Sequence, residues 1–262
     1  MKGFAEEVAE FTVPSGSAAV FWLGGGSVVF KSASGKIVYV DPYLTDYCER
    51  ALNLKRLVPR PLDISKVKAD IIVITHGHQD HLDADAIPEL ARACDAVFVA
   101  PPSCREEMRG LGIEGDRFVS IARHEARTVN GVPLTATYAD HRHPRGPEPD
   151  AIGIIADLDG IKAYVVGDSI YTIALLDNKR YAVDLMCVPI NGLYGNMNYV
   201  DAAFYSEDMS PEVVIPIHYG MFAENTADPQ LFMNALEKSH AASKPVVMDY
   251  KGRYVYRKGA RT

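Results

Sequence analysis

The stretch Ile74-Thr75-His76-Gly77-His78-Gln79-Asp80-His81-Leu82-Asp83 decides the predicted fold and chemistry of this chain. It contains three histidines and one aspartate within six positions, directly after the apolar, β-branched run 70–75 that predicts a buried strand. Strand ends lead into loops, and loops on a rigid scaffold commonly carry functional groups. We interpret the stretch as a metal site, because imidazole suits zinc and iron and carboxylates extend the range to manganese.

The spacing within this stretch allows two cations. His76 and His78 alternate along an extended segment, so both can face one cation across Gly77, where glycine removes a side chain that would crowd the ion. Asp80 and His81 can hold a second cation about 3.5–4 Å away, the usual separation in two-metal hydrolytic sites. Asp80 can also orient a water nucleophile or accept its proton. A polar surface turn with chance histidines is the alternative, but four ligand-type residues in this pattern argue against it.

Composition excludes several classes of protein. The 262 residues are 48% hydrophobic and 23% charged, with a formal net charge of −7. This acidic balance argues against nucleic acid as a partner, because phosphate recognition depends on clustered Lys and Arg. Four scattered cysteines lack metal or disulfide spacing and predict reduced thiols. The sequence shows no secretory signal and no membrane-length apolar run, so we expect one cytoplasmic domain over residues 1–262. We expect a small-molecule substrate and no membrane partner. Homo-oligomerisation is left open.

Strands dominate both halves of the chain, and helices fall between some of them. The predicted strands are 18–22, 27–31, 36–40, 70–75, 96–100, 133–139, 151–157, 162–166, 184–188, 213–217, 245–248 and 252–257. The predicted helices are 84–93, with Asp83 as N-cap, 103–110, 198–206 and 229–239. This order indicates packed sheets with helices on their outer faces.

The motif His76-x-His78-x-Asp80-His81 after an apolar strand resembles the signature of the metallo-β-lactamase superfamily. The resemblance covers roughly residues 18–256. It implies an α/β fold, a four-layer αββα sandwich in which two β-rich halves face each other and metals sit at one edge. It also implies a metal-dependent hydrolase with one or two divalent ions, zinc or manganese, with iron as an alternative.

Two further segments match the superfamily pattern upstream and in the middle of the chain. Asp41, at the end of the strand 36–40, matches an acidic residue that orients the metal-binding loop. The segment 135–143 matches the element that supplies another histidine ligand, which we assign to His141 because it lies nearest the strand end. His143 remains the rival, and Asp140 is a further candidate.

Two late segments complete the match. Asp168 in Val165-Val166-Gly167-Asp168-Ser169 corresponds to the family's bridging carboxylate, whose two oxygens can hold two cations. His218, after the strand 213–217, corresponds to the last histidine ligand. The resemblance therefore implies a ligand set of His76, His78, Asp80, His81, His141, Asp168 and His218.

A finer similarity concerns the reaction. The segments 21–25, 167–169 and 216–219 are similar to the branch that includes L-ascorbate-6-phosphate lactonase. This similarity implies hydrolysis of an ester or lactone bond, by a metal-activated hydroxide, in a small metabolite that can carry a phosphate. The alternatives are a metal-dependent phosphodiesterase or nuclease and a non-catalytic metal-binding scaffold.

Loop residues beside the motifs are candidate substrate contacts. The predicted contacts are Arg142, Asn191, Tyr194 and Tyr219, with Tyr43 and Arg50 as further candidates. Arg142 could hold a phosphate or carboxylate by a forked contact. The alternative for each is a solvated loop residue, which is the commoner state of an exposed polar side chain.

Overall fold

Two mixed β-sheets of seven strands each form the centre of the structure, a computed structural model that describes residues 3–144, 146 and 148–259. The strands are β1 (Ser17–Gly24), β2 (Ser27–Ser32), β3 (Ile37–Val40), β4 (Ile71–Val73), β5 (Val97–Ala100), β6 (Phe118–Ser120), β7 (Ala126–Val129), β8 (Val132–Tyr138), β9 (Ile152–Asp157), β10 (Lys162–Val165), β11 (Leu185–Pro189), β12 (Val213–Ile217), β13 (Lys244–Pro245) and β14 (Arg253–Arg257).

The strand orders of the two sheets resemble each other. The first sheet runs β14-β1-β2-β3-β4-β5-β6 and the second runs β7-β8-β9-β10-β11-β12-β13. In each sheet three antiparallel pairings are followed by three parallel ones. Parallel neighbours end at the same edge of a sheet, so the loops that follow β3 and β4, and those that follow β10 and β12, are brought together.

Helices lie outside the two sheets. They are α1 (Phe4–Glu10), α2 (Tyr47–Leu52), α3 (Ala86–Ala93), α4 (Arg105–Gly110), α5 (Tyr199–Met209) and α6 (Pro229–Lys238). Short 3₁₀ segments cover Ile64–Lys66, Pro102–Cys104, Gly115–Arg117 and Ile173–Tyr181. No helix in these described ranges is both long and apolar enough to span a bilayer.

Alternation along the strands of the first sheet creates two apolar layers. In β3, Val38 and Val40 face the cluster shared with the second sheet, whereas Ile37 and Tyr39 join the cluster that α1, α3 and α4 cover. Side chains of α5 and α6 pack with the second sheet. The predicted four-layer αββα sandwich is therefore confirmed, and its layers follow from the alternation of side chains between the two faces of a sheet.

The predicted elements are mostly present, with several corrections. The hairpin of β2 and β3 is confirmed, but the predicted strand 245–248 is reduced to β13, which ends at Pro245. The helix predicted to start at 84 begins at Ala86, after Asp85, and the Asp83 carboxylate accepts hydrogen bonds from the backbone N–H groups of both residues at 3.2–3.3 Å. The prediction missed α1, α2, β6 and β7, which are short, and β7 is mostly exposed.

Candidate metal centre

Seven predicted ligand side chains meet at the edge where the strand-end loops of both sheets converge. The first group joins three histidines. The Nδ1 atom of His78 lies 3.0 Å from Nε2 of His76 and 2.9 Å from Nε2 of His141. His143 follows on the same loop, and its ring lies against that of His78 at a centroid distance of 4.6 Å, outside this group of nitrogens.

The second group contains Asp80, His81 and His218. The Nε2 atoms of the two histidines are 3.2 Å apart. One oxygen of Asp80 lies 3.7 Å from Nε2 of His81 and 3.5 Å from Nε2 of His218. Residues separated by 137 positions in the chain therefore present ligand atoms to one point.

Asp168 lies between the two groups and turns one oxygen to each. Its Oδ1 is 3.2 Å from Nε2 of His218 and 3.4 Å from Nε2 of His81. Its Oδ2 is 3.8 Å from Nε2 of His141 and 4.0 Å from Nε2 of His76. Asp168 could therefore contact one ion in each group.

The donor atoms fit metal ions better than they fit one another. The Nδ1 atom of His78 has a single lone pair or a single proton, so it cannot form a full hydrogen bond with both neighbouring Nε2 atoms. Oδ1 of Asp168 is buried and has no hydrogen-bond partner of good geometry among the described residues. A buried carboxylate oxygen without a partner is costly, and a cation would relieve that cost.

The electrostatics differ between the two groups. Burial lowers the pKa of His76 well below the ordinary histidine value and lowers the pKa of His78 to about 4, which favours the neutral form that binds metals. Burial also opposes the charged form of His81. The negative charges of nearby carboxylates, of which Asp168 has the largest effect, outweigh the effect of burial and raise the pKa of His81. Burial would likewise raise the pKa of Asp168, yet His218 and His81 hold that pKa well below its usual range. The centre around Asp168 therefore stabilises positive charge.

Asp41 holds the metal-binding loop from behind. One oxygen accepts from the backbone N–H of Thr75 at 2.7 Å, and the other accepts from the Thr75 hydroxyl at 2.6 Å and contacts Nδ1 of His81 at 2.7 Å. The Thr75 hydroxyl also lies 3.1 Å from Nδ1 of His76. A carboxylate on Nδ1 fixes the tautomer that leaves Nε2 free as a ligand. The geometry thus gives Asp41 the contacts expected of an orienting residue.

Three supporting contacts were not foreseen from the sequence. The Gly195 carbonyl lies 3.2 Å from Nδ1 of His141, the Asn196 amide donates to Oδ2 of Asp168 at 2.9 Å, and Glu148 lies 3.3 Å from Nε2 of His78. These partners lie at least 28 positions from the side chains they hold, so no local pattern could have indicated them. Their contacts orient ring nitrogens and the carboxylate of Asp168.

Local backbone geometry also adapts to the centre. Asp41 and His218 have φ values of 47° and 62°, a left-handed conformation that is rare for residues with a side chain and that clusters at functional sites. A Cβ atom added to Gly26 would lie 3.1 Å from Cε1 of His81 and 3.3 Å from Cδ2 of His218. A Cβ atom at Gly77 would meet no protein atom within 4 Å. Of these two glycines, Gly26 is therefore the one that lies close to protein atoms.

A cleft of about 510 Å³ opens beside the two groups. Four of the predicted ligands line it: His78, Asp80, His141 and Asp168. His143 and Tyr194 form one wall, with rings stacked at 5.7 Å and an interplanar angle of 16°. The end of α2 and the residues that follow it, including Leu52 and Leu54, form another part of the lining. A small molecule of this volume could contact several ligand residues at once.

The other candidate substrate contacts lie in different surroundings. Arg142 is largely exposed and makes a forked contact with Asp140 at 2.9 and 2.8 Å. Tyr219 is buried, packs on Trp22 and donates its hydroxyl to a backbone carbonyl, and Tyr43 is also buried.

Asn191 and Arg50 complete this set of candidates. Asn191 is buried and hydrogen-bonded to Asn225. Arg50 lines the cleft but is ion-paired with Asp85.

Comparisons with known proteins agree with this geometry. A family model described as a beta-lactamase superfamily domain matches residues 36–219. A UPF0173 metal-dependent hydrolase of Polaromonas sp. is 30% identical over 255 residues, which is 88% of each chain. A UPF0173 metal-dependent hydrolase of Thermococcus onnurineus is 29% identical over 213 residues, 79% of this chain and 88% of that protein.

Solved structures show the same fold. Igni18, a metallo hydrolase from Ignicoccus hospitalis, superposes with a TM-score of 0.72 at 23% identity and covers 92% of this chain and 98% of its own. An isothiocyanate hydrolase from Delia radicum gut bacteria gives a TM-score of 0.72 at 17% identity, with coverage of 91% and 99%. At these identities the likeness concerns the arrangement of the sheets and helices.

Proposed function

Because this chain belongs to the UPF0173 metal-dependent hydrolases of the metallo-β-lactamase superfamily, we propose that it cleaves an ester or lactone bond of a small metabolite with two divalent ions. The observation that carries the proposal is the position of Asp168, whose two oxygens face two separate groups of ligand atoms beside an open cleft. A lone structural ion would need only one such group, and it would need no cleft.

Each group of side chains has a distinct role in this proposal. His76, His78 and His141 would hold one ion, Asp80, His81 and His218 would hold the other, and Asp168 would contact both. Such ions lower the pKa of bound water towards about 7 and polarise the bond that is attacked. Zinc and manganese both suit this set of imidazole and carboxylate ligands, with iron as the alternative.

Asp80 has a second role, in proton transfer. It lines the cleft and also a small adjoining cavity, and its carboxylate is partly exposed. A water molecule that attacks from the cleft can therefore lose its proton to Asp80. The same carboxylate can return the proton to the leaving alkoxide, which has a higher affinity for it.

The surroundings of the cleft favour an uncharged substrate. Of the described residues that line the cleft, Arg50 is the one arginine or lysine, and it is already paired with Asp85. Arg142, which the sequence indicated as a phosphate contact, is occupied by Asp140. An ester or lactone is therefore favoured over a phosphodiester, which would need free cationic partners.

The test is hydrolysis by the metal-loaded protein of p-nitrophenyl acetate, an aryl lactone and bis-p-nitrophenyl phosphate. We expect turnover of the ester or lactone, and we expect His78→Ala and Asp168→Ala to lose bound metal and activity while remaining folded. His240→Ala, which alters an exposed histidine, is the matched control. Cleavage of the phosphodiester alone would refute the ester or lactone assignment, and full metal content without any turnover would favour a metal-binding scaffold.

A further inference from the structure

We propose that the side-chain amide of Asn225 donates a hydrogen bond to the substrate oxygen that gains negative charge during the reaction. The inference rests on the proposed function, since it concerns the same cleft. It assigns a substrate-contacting role to a residue on the loop after β12, which lies outside the ligand motifs.

The position of Asn225 is the first argument. The residue is 7% exposed, and it lines both the 510 Å³ cleft and the small cavity beside Asp80. Asp80 is the one other described residue common to the linings of these two cavities. Asn225 therefore lies where a substrate bound beside Asp80 would meet it.

The orientation of the amide is the second argument, and it follows from a chain of hydrogen bonds. The carbonyl of Leu193 can only accept, so the side-chain atom of Asn191 that faces it at 3.4 Å must be Nδ2. The same Nδ2 donates to Asn225 at 2.7 Å, so the Asn225 atom at that contact must be Oδ1. The two N–H donors of Asn225 are therefore on the other side of the amide, away from Asn191.

Asn191 is well placed to hold this orientation. It is buried, it lies two residues after β11, and its backbone pairs with Asn198 in an isolated bridge. The backbone N–H of Asn225 donates to Phe222 at 3.3 Å, which closes the turn that carries the amide. An amide fixed before the substrate arrives needs little reorganisation during the reaction, which is the condition for strong electrostatic stabilisation.

The chemistry of ester cleavage gives the donor a function. Attack of water on the carbonyl carbon forms a C–O bond and moves the π electrons onto the carbonyl oxygen, while Asp80 takes the proton. When the bond to the leaving alkoxide breaks, the electrons return to the carbonyl and the proton passes to the alkoxide. The Asn225 N–H group would stabilise the oxygen during the interval in which it is negative.

Two substitutions separate a donor from a merely structural residue. Asn225→Ala removes the amide, whereas Asn225→Asp still accepts the hydrogen bond from Asn191 but cannot donate. We expect both variants to keep their metal content and to lose about 10²–10³-fold in kcat, the usual effect of one lost donor to an oxyanion. Asn234→Ala, on the exposed face of α6, is the matched control and should behave as the wild type.

A binding measurement makes the test independent of turnover. Methylphosphonate mimics the tetrahedral oxyanion, and its dissociation constant for the metal-loaded protein can be measured by calorimetry. Both Asn225 variants should weaken binding by about 10-fold to 150-fold, as expected for a hydrogen bond to a charged group.

The outcomes of the two measurements are distinct. Weakened phosphonate binding in both variants supports the inference, even when no ester is hydrolysed. If no ester or lactone is hydrolysed, only the proposed reaction fails. Three results would each overturn the inference. They are unchanged phosphonate binding in either variant, loss of metal from Asn225→Ala, and a wild type that does not bind the phosphonate.

Discussion

Replacing Gly26 with alanine should weaken one of the two proposed metal sites and spare the other. The added Cβ would lie 3.1 Å from Cε1 of His81 and 3.3 Å from Cδ2 of His218, closer than ordinary van der Waals contact. Neither ring can retreat freely, because Asp41 contacts Nδ1 of His81 at 2.7 Å and the backbone N–H of His218 donates to Gly25 at 2.7 Å. The rings must therefore shift by a few tenths of an ångström.

The expected magnitude follows from the tolerance of metal ligation. Disturbing the groups that orient metal ligands typically costs about 10-fold to 100-fold in metal affinity. We expect Gly26→Ala to raise the dissociation constant of the ion at Asp80, His81 and His218 by that factor. Gly26 is not among the residues with positive φ, so alanine fits the backbone and the metal-free fold should remain intact.

Metal titration against a chelator of known affinity, followed by elemental analysis, would measure the effect. At intermediate free metal, Gly26→Ala should retain one ion per chain where the wild type retains two. Gly110→Ala is the control, because a Cβ at Gly110 meets no atom within 4 Å. Two ions bound with unchanged affinity in Gly26→Ala, or equal loss of both, would refute the reasoning.

Four further predictions concern metal binding, stability and cysteine reactivity. Relative to protein in free metal at 1,000 times the dissociation constant, chelated protein should melt about 8–16 °C lower for each ion that is removed. Calorimetry with and without EDTA would measure this difference. Asp41→Asn should reduce metal affinity by about 10-fold to 100-fold, because it removes the carboxylate charge beside His81. The metal titration described for Gly26→Ala would measure this loss. Unchanged affinity would mean that Asp41 only ends a strand. Burial raises the pKa of Cys104 from 9.0 to about 12, so its contribution to stability is complete below pH 9 and is lost as the pH rises towards 12. The denaturant midpoint should therefore fall over that range, and a thiol reagent at pH 8 should modify the partly exposed Cys94 before the three buried cysteines.

The candidate ligand positions were predictable because the loops that carry them begin where strands end. Asp41 follows β3, His218 follows β12 and Asp168 comes three residues after β10, so strand prediction alone brings them towards a sheet edge. The choice between His141 and His143 was harder, since residues two apart on an extended segment share a face. In the structure Nε2 of His141 joins the group of ligand-type nitrogens, and its Nδ1 lies 3.2 Å from the carbonyl of Gly195, 54 residues further along.

Contacts between distant loops account for what the sequence did not indicate. Glu148, Asn196 and Asn225 have no recognisable spacing relative to the motifs, because their partners arise only when the two sheets pack. The close approach of Gly26, on the turn between β1 and β2, to the rings of His81 and His218 had no signal in the sequence for the same reason. Local patterns reveal strands and ligand types, but steric contacts across the sandwich depend on the complete fold.

The division of ligands between the sheets has a mechanical consequence. Loops of the first sheet supply His76, His78, Asp80 and His81, whereas loops of the second supply His141, Asp168 and His218. Ions held by these residues would connect the two halves of the sandwich, and a chelator could remove that connection. Removal of the metal would then loosen the edge of the sandwich that carries these loops before it loosens the hydrophobic interior. The rigidity of the cleft would therefore depend on how much metal is bound.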